Sequence, residues 1–331
     1  PLARAQAMAR RLEREASDDG VIDRAYRLAY GRPVTAGERR AAEDFLRSQT
    51  ALYEDARESV RAEFLSAMPG RDGNLALEIS AKGARFAATD NPGSNHAAWP
   101  DEDFTIEAVI QLRTLYPDAS VRTIVSHWDD NQQHPGWSLG VTSTKSRYQP
   151  RNLILQMVGD PSRGGAGYEV IASGLRPELN RPYFVAVSVR LRERGPAGVT
   201  FYLQDLSRAD ASLQVAEVPH QVTADYRSDR ALVIGGRDGS SRNMWDGWID
   251  DVRISREALS RDQLLASHDS DADRTVGFWR FDQPRDPLAD SSGAGHRLET
   301  RQAPGDSSPR IRALTDFCHA ILNSNEFLYV D

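Results

Sequence analysis

The sequence predicts a mainly β protein with a helical part. Between residues 72 and 285, apolar and polar residues alternate in short runs, and Gly, Pro, Asn and Asp separate the runs. Many short strands at fairly even spacing favour a sandwich or barrel over a βαβ fold. The clearest predicted strands cover residues 104–110, 122–126, 137–141, 153–157, 184–189, 199–203 and 231–236.

The first part of the chain, residues 1–69, has helical spacing instead. A break at residues 31–33 ends one helix, and Thr35 with Glu38 forms a capping box that begins the next. A further helix is predicted across residues 60–65. This segment is a small bundle that looks incomplete, because about seventy residues of short helices bury little surface.

Composition narrows the class of protein. The net charge of −7 over 331 residues argues against a nucleic-acid partner, and lysine occurs only at Lys82 and Lys145. The sequence contains no run of about 20 apolar residues, so no membrane span is predicted.

Cys318 is the only cysteine, so no intrachain disulfide can form, and its apolar helix face favours a core position. Because residue 1 is a proline, we expect a fragment whose targeting signal lies upstream.

Residues 247–254 are predicted to form a strand, followed by a turn and a short helix through residue 260. Side chains alternate between the two faces of a strand, so the even-numbered residues share one face. That row is apolar except at Asp250. A carboxylate in a core-facing row is costly unless it is hydrogen-bonded or bound to a cation. Asp250 therefore raises the question of a bound cation.

Seven motifs in order resemble the laminin-G-like branch of the concanavalin A-like lectin/glucanase superfamily. They are FTIEAVIQL, TIVSHWDD, GWSLGV, RPYFVAVSV, VTFYL, ALVIGG and GWIDDVRISREALS, which together span residues 104–260. The resemblance implies a jelly-roll β-sandwich of two antiparallel sheets, one of them curved.

One segment departs from that family pattern. VGFWRFD at residues 276–282, with residues 289–293, resembles a motif usually found at the start of such domains. We interpret it as a strand that closes the sandwich in permuted order. The alternative is the truncated start of a second repeat.

The helical ends carry a second resemblance. LNSNEFLYVD at residues 322–331, with the pattern over residues 23–45, resembles the C-terminal region of a family of unknown function best known from planctomycete-type bacteria. Full-length members often carry a cytochrome-c-like module upstream. The resemblance implies one helical domain, residues 1–69 and 305–331, interrupted by a sandwich over residues 72–300. Sandwich termini often lie close together, so such an insertion is physically permitted.

The candidate catalytic carboxylates lie within residues 101–107. Glucanases of this superfamily place paired carboxylates on one strand, as nucleophile and acid/base. The segment DEDFTIE lacks the Glu-x-Asp-x-x-Glu pattern and aligns with a laminin-G edge motif. A glycoside hydrolase or lyase stays open as an alternative, whereas neither a Ser-His-Asp order nor a Gly-x-Ser-x-Gly elbow is present.

Calcium is the one cofactor predicted. In this superfamily, calcium often sits where an acidic residue of a late strand meets loop carbonyls near the start of the domain, and Asp250 or Asp251 matches that residue. The alternative is that these aspartates cap a turn or pair with Arg253. Residues 129–131 are a weaker second calcium candidate or an ordinary polar turn. No His/Cys spacing suits zinc.

A sugar site is predicted in residues 127–137, because aromatic faces and planar polar groups occur together there. The alternative is that both tryptophans are core residues and the loop is merely solvated. Residues 163–167 and 237–243 are similar polar loops, and neither leads into a helix as a phosphate cradle would. The predicted ligand-binding residues are Trp128, Asp129, Asn131, Gln133, His134 and Trp137.

These observations predict a non-catalytic module that recognises a glycan or a surface protein within a larger exported bacterial protein. The other implied partner is an upstream module of the same polypeptide. A purely structural spacer or docking domain is the third possibility.

Overall fold

The computed structural model describes residues 2–15, 20–62, 64–71, 75–80, 85–88, 99–100, 102–159, 167–222, 228–240, 242–266, 274–283, 285–301 and 309–324. The chain divides into two compact units. One unit combines Pro1–Glu63 with Gly305–Asp331, and the other is Phe64–Pro304. The loop at residues 163–166 and the ending at residues 325–331, both discussed above, lie outside the described residues.

The first unit is helical and is assembled from both ends of the chain. Phe317 and Cys318 share one apolar core with Leu12, Tyr26 and Phe45. The two ends of the sequence therefore pack together as one unit. The helices are α1 (Leu2–Glu15), α2 (Val21–Tyr30), α3 (Ala36–Ala62) and α4 (Pro309–Leu322).

Local signals set the helix ends in this unit. Gly31, in the left-handed region at φ 67°, ends α2 and donates its N–H to the Arg27 carbonyl. The Thr35 N–H donates to the Glu38 carboxylate and the Glu38 N–H to the Thr35 hydroxyl, so the capping box begins α3. The separate helix expected over residues 60–65 is wrong, because α3 runs unbroken to Ala62 and the sandwich begins at Phe64.

The second unit is a sandwich of two antiparallel sheets. One sheet has the order β1-β2-β13-β4-β9-β10-β11, with β14 also paired to β13, and the other has the order β15-β3-β12-β5-β6-β7-β8. The strands are β1 (Leu65–Ala67), β2 (Leu75–Ile79), β3 (Arg85–Ala88), β4 (Phe104–Leu112), β5 (Val121–His127), β6 (Gly136–Thr142), β7 (Leu153–Val158), β8 (Tyr168–Ala172), β9 (Pro182–Val189), β10 (Val199–Asp205), β11 (Gln214–Val218), β12 (Val233–Ile234), β13 (Gly247–Ser255), β14 (Thr275–Trp279) and β15 (Leu298–Arg301).

The main core lies between the two sheets. Inner rows of β4, β5, β6, β7 and β9 contribute most of it, and Trp137, Trp245 and Trp279 are fully buried there. The expected mainly β sandwich with a helical part, of the concanavalin A-like jelly-roll class, is confirmed. β14 pairs with β13 and β15 pairs with β3, so residues 275–301 belong to this sandwich and are not the start of a second repeat.

The central part of the outer face of the eight-stranded sheet is buried as well. Residues 257–265, called here the cover segment, lie over it: the Leu259 N–H donates to the Thr105 hydroxyl, and the Leu265 N–H donates to the Glu107 carboxylate. Leu259 and Leu264 form a second apolar cluster with Val109 and other outward residues of this sheet. Both faces of β4 are therefore shielded from solvent.

Simple alternation along β13 is wrong because the strand contains a β-bulge. Asp250 pairs with Val109 and Arg253 with Glu107, so one extra residue is accommodated between them, and Asp251 has φ 46°. After the bulge the faces exchange: Val252 and Ile254 point into the same core as Ile249. Asp250 lies instead on the outer side, opposite Val109.

Gly247 begins β13 where no side chain fits. Its φ is 134°, and a Cβ there would lie 2.0 Å from the Gln111 carbonyl oxygen. No helix among the described residues is both long and apolar enough to cross a membrane.

Candidate functional site

The outer face of the seven-stranded sheet carries an open pocket. Along β7, Leu153 and Leu155 point into the core, whereas Ile154 and Gln156 point outward and line the pocket. The pocket has a volume of about 440 Å³, within the range of about 300–1,000 Å³ typical of small-ligand sites. Its walls come from β5 to β8, the β6–β7 turn and the loop that follows β12. The other lining residues are Ala119, Val121, Asp130, Thr142, Lys145, Ser146, Arg147, Tyr148, Tyr168, Val170, Arg237 and Asn243.

Arg237 organises the base of this pocket. Its guanidinium is only 1% exposed and donates to the Asp130 carboxylate, the Gln156 side-chain oxygen and the Thr123 hydroxyl. It also lies 4.9 Å from the centroid of the Trp128 ring. Burial lowers the pKa of Arg237, while the Asp130 charge opposes that effect. The bonds to Arg237 hold Asp130 and Gln156 in place.

The acceptor atoms at the base are already bonded within the protein. Asp130 accepts from Arg237 and, at 2.8 Å, from the Asn243 amide. Arginine cannot accept a hydrogen bond, so the oxygen of Gln156 faces Arg237 and its NH₂ group donates to the Tyr168 hydroxyl at 2.6 Å. The Tyr168 O–H is therefore left to donate elsewhere. Burial raises the pKa of Tyr168, which keeps that proton in place at neutral pH.

Aromatic rings form part of the pocket wall. Tyr168 stacks on Trp128 with ring centroids 5.9 Å apart and an interplanar angle of 25°. On the β6–β7 turn, Arg147 lies 4.8 Å from the centroid of the Tyr148 ring and donates to the Tyr148 hydroxyl at 2.6 Å. The pocket thus combines aromatic surface with hydrogen-bonding groups.

The predicted sugar loop is placed beside this pocket and is largely bonded to itself. The Asp129 carboxylate contacts His134 Nδ1 at 2.6 Å and Arg230 Nε at 3.2 Å. The Asn131 side chain accepts from the Gln133 N–H at 3.0 Å, and Asn131 and Gln133 are exposed. None of these five residues lines the pocket, whereas their neighbour Asp130 does.

The two predicted tryptophans serve different roles. Trp128 is 1% exposed, donates its indole N–H to the Asn131 carbonyl at 2.9 Å and supports Tyr168 and Arg237 from behind. Trp137 is fully buried between the sheets and stacks on Phe104. A ligand contact at Trp137 is therefore corrected to a core role, because no surface of its ring is accessible.

Asp250 and Asp251, the predicted calcium ligands, both bind an arginine. The Arg71 guanidinium, from the segment after β1, donates to the Asp250 carboxylate and, at 2.7 Å, to the Asp251 carboxylate. Burial and the charge of Asp251 raise the pKa of Asp250 to about 7, and Arg71 opposes them. Among the described residues, no group of three or more His, Cys, Asp or Glu side chains could hold a metal. The site thus fits calcium poorly, since one guanidinium already donates hydrogen bonds to both carboxylates.

The segment at residues 101–107, which lacks the glucanase carboxylate pattern, contains a buried ion-paired glutamate. Glu107 is fully buried; one of its carboxylate oxygens accepts from Arg253 and the other from the Leu265 N–H. Burial raises the pKa of Glu107, and Arg253 opposes that effect. Asp101 lies outside the described residues. Glu107 lies under the cover segment, where a polysaccharide cannot reach it.

Sequence reasoning missed most of the pocket. Gln156 is the one polar residue in the outward row of β7, and Lys145 is one of only two lysines. Both residues are therefore unusual enough in the sequence to have been singled out. The sequence also indicates a polar loop at residues 237–243, but nothing local in the sequence links it to Tyr168. Only the strand pairing brings these residues together.

Comparison with known proteins agrees with the β-sandwich fold. The family model Laminin_G_3, described as the concanavalin A-like lectin/glucanases superfamily, matches residues 82–265, more than half of the chain. No curated protein sequence matches.

Several solved structures are similar to this chain at low sequence identity. Tailspike protein 2 of an Escherichia coli O157:H7 bacteriophage is 13% identical, covers 66% of this chain and 28% of its own, and has a TM-score of 0.47. The CBM40 of a Ruminococcus gnavus sialidase, bound to α2,3 sialyllactose, is 14% identical, with coverages of 58% and 94% and a TM-score of 0.40. Domain 4 of a Geobacillus stearothermophilus arabinanase, in complex with arabinotriose, is 12% identical, with coverages of 62% and 81% and a TM-score of 0.39. On the family match, this chain belongs to the concanavalin A-like lectin/glucanases superfamily.

Proposed function

We propose that the sandwich binds a carbohydrate non-catalytically in the pocket on the outer face of the seven-stranded sheet. The observation that carries the proposal is the pocket itself: about 440 Å³, open to solvent, with aromatic rings and fixed polar groups on a rigid sheet. Pockets of this kind bind small ligands through apolar surface and a few oriented hydrogen bonds.

The bonding within the pocket supports recognition rather than bond cleavage. Its one described carboxylate, Asp130, accepts from Arg237 and Asn243, and paired carboxylates are what glycoside hydrolysis uses. Tyr148 and Tyr168 offer ring faces and O–H groups to a sugar. The arrangement is suited to holding a ligand in one orientation.

The test is a glycan array followed by calorimetric titration of the hits. Tyr168→Phe removes one hydroxyl from the pocket while keeping the ring, and Tyr148→Ala removes a rim ring. We expect each variant to weaken binding about three- to tenfold, as the loss of one hydrogen bond or contact does. Tyr202→Phe is the matched control, since Tyr202 lies on the other sheet.

Two results would overturn the proposal. If no glycan binds saturably, the sandwich is better treated as a spacer or a protein-docking module. If reducing ends are released from a polysaccharide and that activity depends on Asp130, the module is a hydrolase or lyase instead.

The cellular setting is part of the same proposal. Carbohydrate recognition suits a module exposed outside the cytoplasm, and we propose that this chain acts there as part of a larger protein. The helical unit's resemblance to the planctomycete-type family motivates an upstream cytochrome-c-like module as its covalent neighbour. Mass spectrometry of the native polypeptide in a periplasmic or surface fraction would test both points.

A further inference from the structure

The charge of the pocket narrows the class of glycan. Lys145, Arg147 and Arg237 line it, and Asp130 is the only carboxylate among the described lining residues. Arg237 and Asp130 neutralise each other at the base. Two positive charges therefore remain at the rim of a chain whose net charge is −7. A cationic cleft on an acidic protein concentrates anions.

The two rim cations are carried by an anchored turn. The Lys145 N–H donates to the Asp118 carbonyl at 3.0 Å, and the Thr144 N–H donates to the Tyr116 carbonyl at 3.2 Å. Arg147 is oriented by its contact with Tyr148, which uses one of its five N–H donors. A guanidinium held this way can bind a carboxylate or sulfate in bidentate fashion.

The hydrogen-bonding character of the pocket agrees with its charge. Asp130 and the oxygen of Gln156 are occupied by Arg237 and Asn243, so the main acceptors are used internally. The Tyr168 hydroxyl accepts from Gln156 and retains its proton for donation. What remains for a ligand is chiefly donors, which match a ligand rich in acceptors.

We infer that the ligand is an acidic glycan, whose carboxylate or sulfate group is bound by Lys145 and Arg147 while its ring packs against the tyrosines. This inference rests on the proposed carbohydrate binding and specifies its ligand class.

The probes are an oligogalacturonate, its methyl-esterified form, which is neutral, and a sulfated galactan oligosaccharide without carboxylates. Calorimetry is performed on the full chain and on Lys145→Gln/Arg147→Gln. Arg192→Gln/Arg208→Gln is the matched control, because it removes two exposed cations from turns of the other sheet.

We expect an acidic probe to bind, and the pocket variant to weaken that binding about tenfold or more. The control should bind like the parent, and raising salt from about 0.1 M to about 1 M should weaken binding. The carboxylate and sulfate probes distinguish which anion is preferred. If the methyl ester binds as tightly as the free acid, or the pocket variant binds unchanged, the inference fails while carbohydrate binding stands. If no glycan of any charge binds, both fail.

Discussion

The two outer faces of the sandwich carry the same kind of ion pair in opposite settings. On the eight-stranded sheet Arg253 binds Glu107, and on the seven-stranded sheet Arg237 binds Asp130. Both arginines are 1% exposed. Glu107 is fully buried under the cover segment, whereas Asp130 is 31% exposed at the pocket.

Access to solvent, rather than residue type, therefore separates a structural ion pair from one that shapes a site. In the sealed pair the two charges neutralise each other, and each side chain also hydrogen-bonds to a backbone group of the cover segment. The open pair uses Arg237 to orient Asp130 and Gln156 toward a space that a ligand can enter. Four predictions sharpen or break this contrast.

The largest effect is expected for Arg253→Leu, which leaves Glu107 buried without its cation. We expect the free energy of unfolding to fall by about 3–5 kcal/mol, measured by urea denaturation. Burial then raises the pKa of Glu107 further, so the folded state retains a proton that the unfolded chain releases near pH 4. The loss should therefore be smaller at pH 4 than at pH 8.

The double variant Glu107→Leu/Arg253→Leu is the control for that experiment. It removes both charges, and we expect its stability to be close to that of the parent. If Arg253→Leu were as stable as the parent at pH 8, solvent would have to reach Glu107, and the ion pair would not be sealed.

A smaller effect is expected for Arg237→Met. Water can reach Asp130, so the loss of its partner should cost about 2 kcal/mol of unfolding free energy. Glycan binding should nevertheless disappear, because Asp130 and Gln156 lose the group that orients them. Equal stability losses for Arg237→Met and Arg253→Leu, or retained binding, would contradict the contrast between the two faces.

Asp250→Asn tests a third ion pair through pH. The pKa of Asp250 is about 7 in the folded protein, above the value of about 3.9 in an unfolded chain, so the folded state holds the extra proton between these values. The parent should therefore lose stability as pH rises from about 4 to about 7, by about 3–4 kcal/mol. The variant should lack this slope. The control Asp44→Asn, at an exposed site, should keep the parent's dependence of unfolding free energy on pH. If Asp250→Asn keeps that dependence as well, the raised pKa of Asp250 is refuted.

The smallest expected effect is that of calcium on the parent. Because Arg71 is hydrogen-bonded to both Asp250 and Asp251, neither calcium nor a chelator should shift the melting temperature by more than about 1 °C. Arg71→Gln frees both carboxylates, so calcium should then raise the melting temperature by binding the folded state. A chelator-sensitive parent would instead support the sequence prediction of calcium at these aspartates.

Local periodicity was enough to predict β5, β6 and β7 to within about a residue, because alternation depends only on neighbours in sequence. It failed at β13, where the bulge at Asp251 exchanges the two faces. The pocket could not be predicted from the sequence for another reason. Arg237, Gln156 and Tyr168 lie on different elements, and only the sheet register joins them. The residues that sequence did single out, such as Asp129 and His134, mainly stabilise their own loop.

The shared helical core has a consequence for the order of folding. The N-terminal helices share their apolar core with α4. The ribosome synthesises α4 only after the whole of Phe64–Pro304 has been made. During synthesis the sandwich can form as soon as its own strands are complete, while α1 to α3 wait for their partner. The helical unit can therefore be completed only after the inserted sandwich has been synthesised.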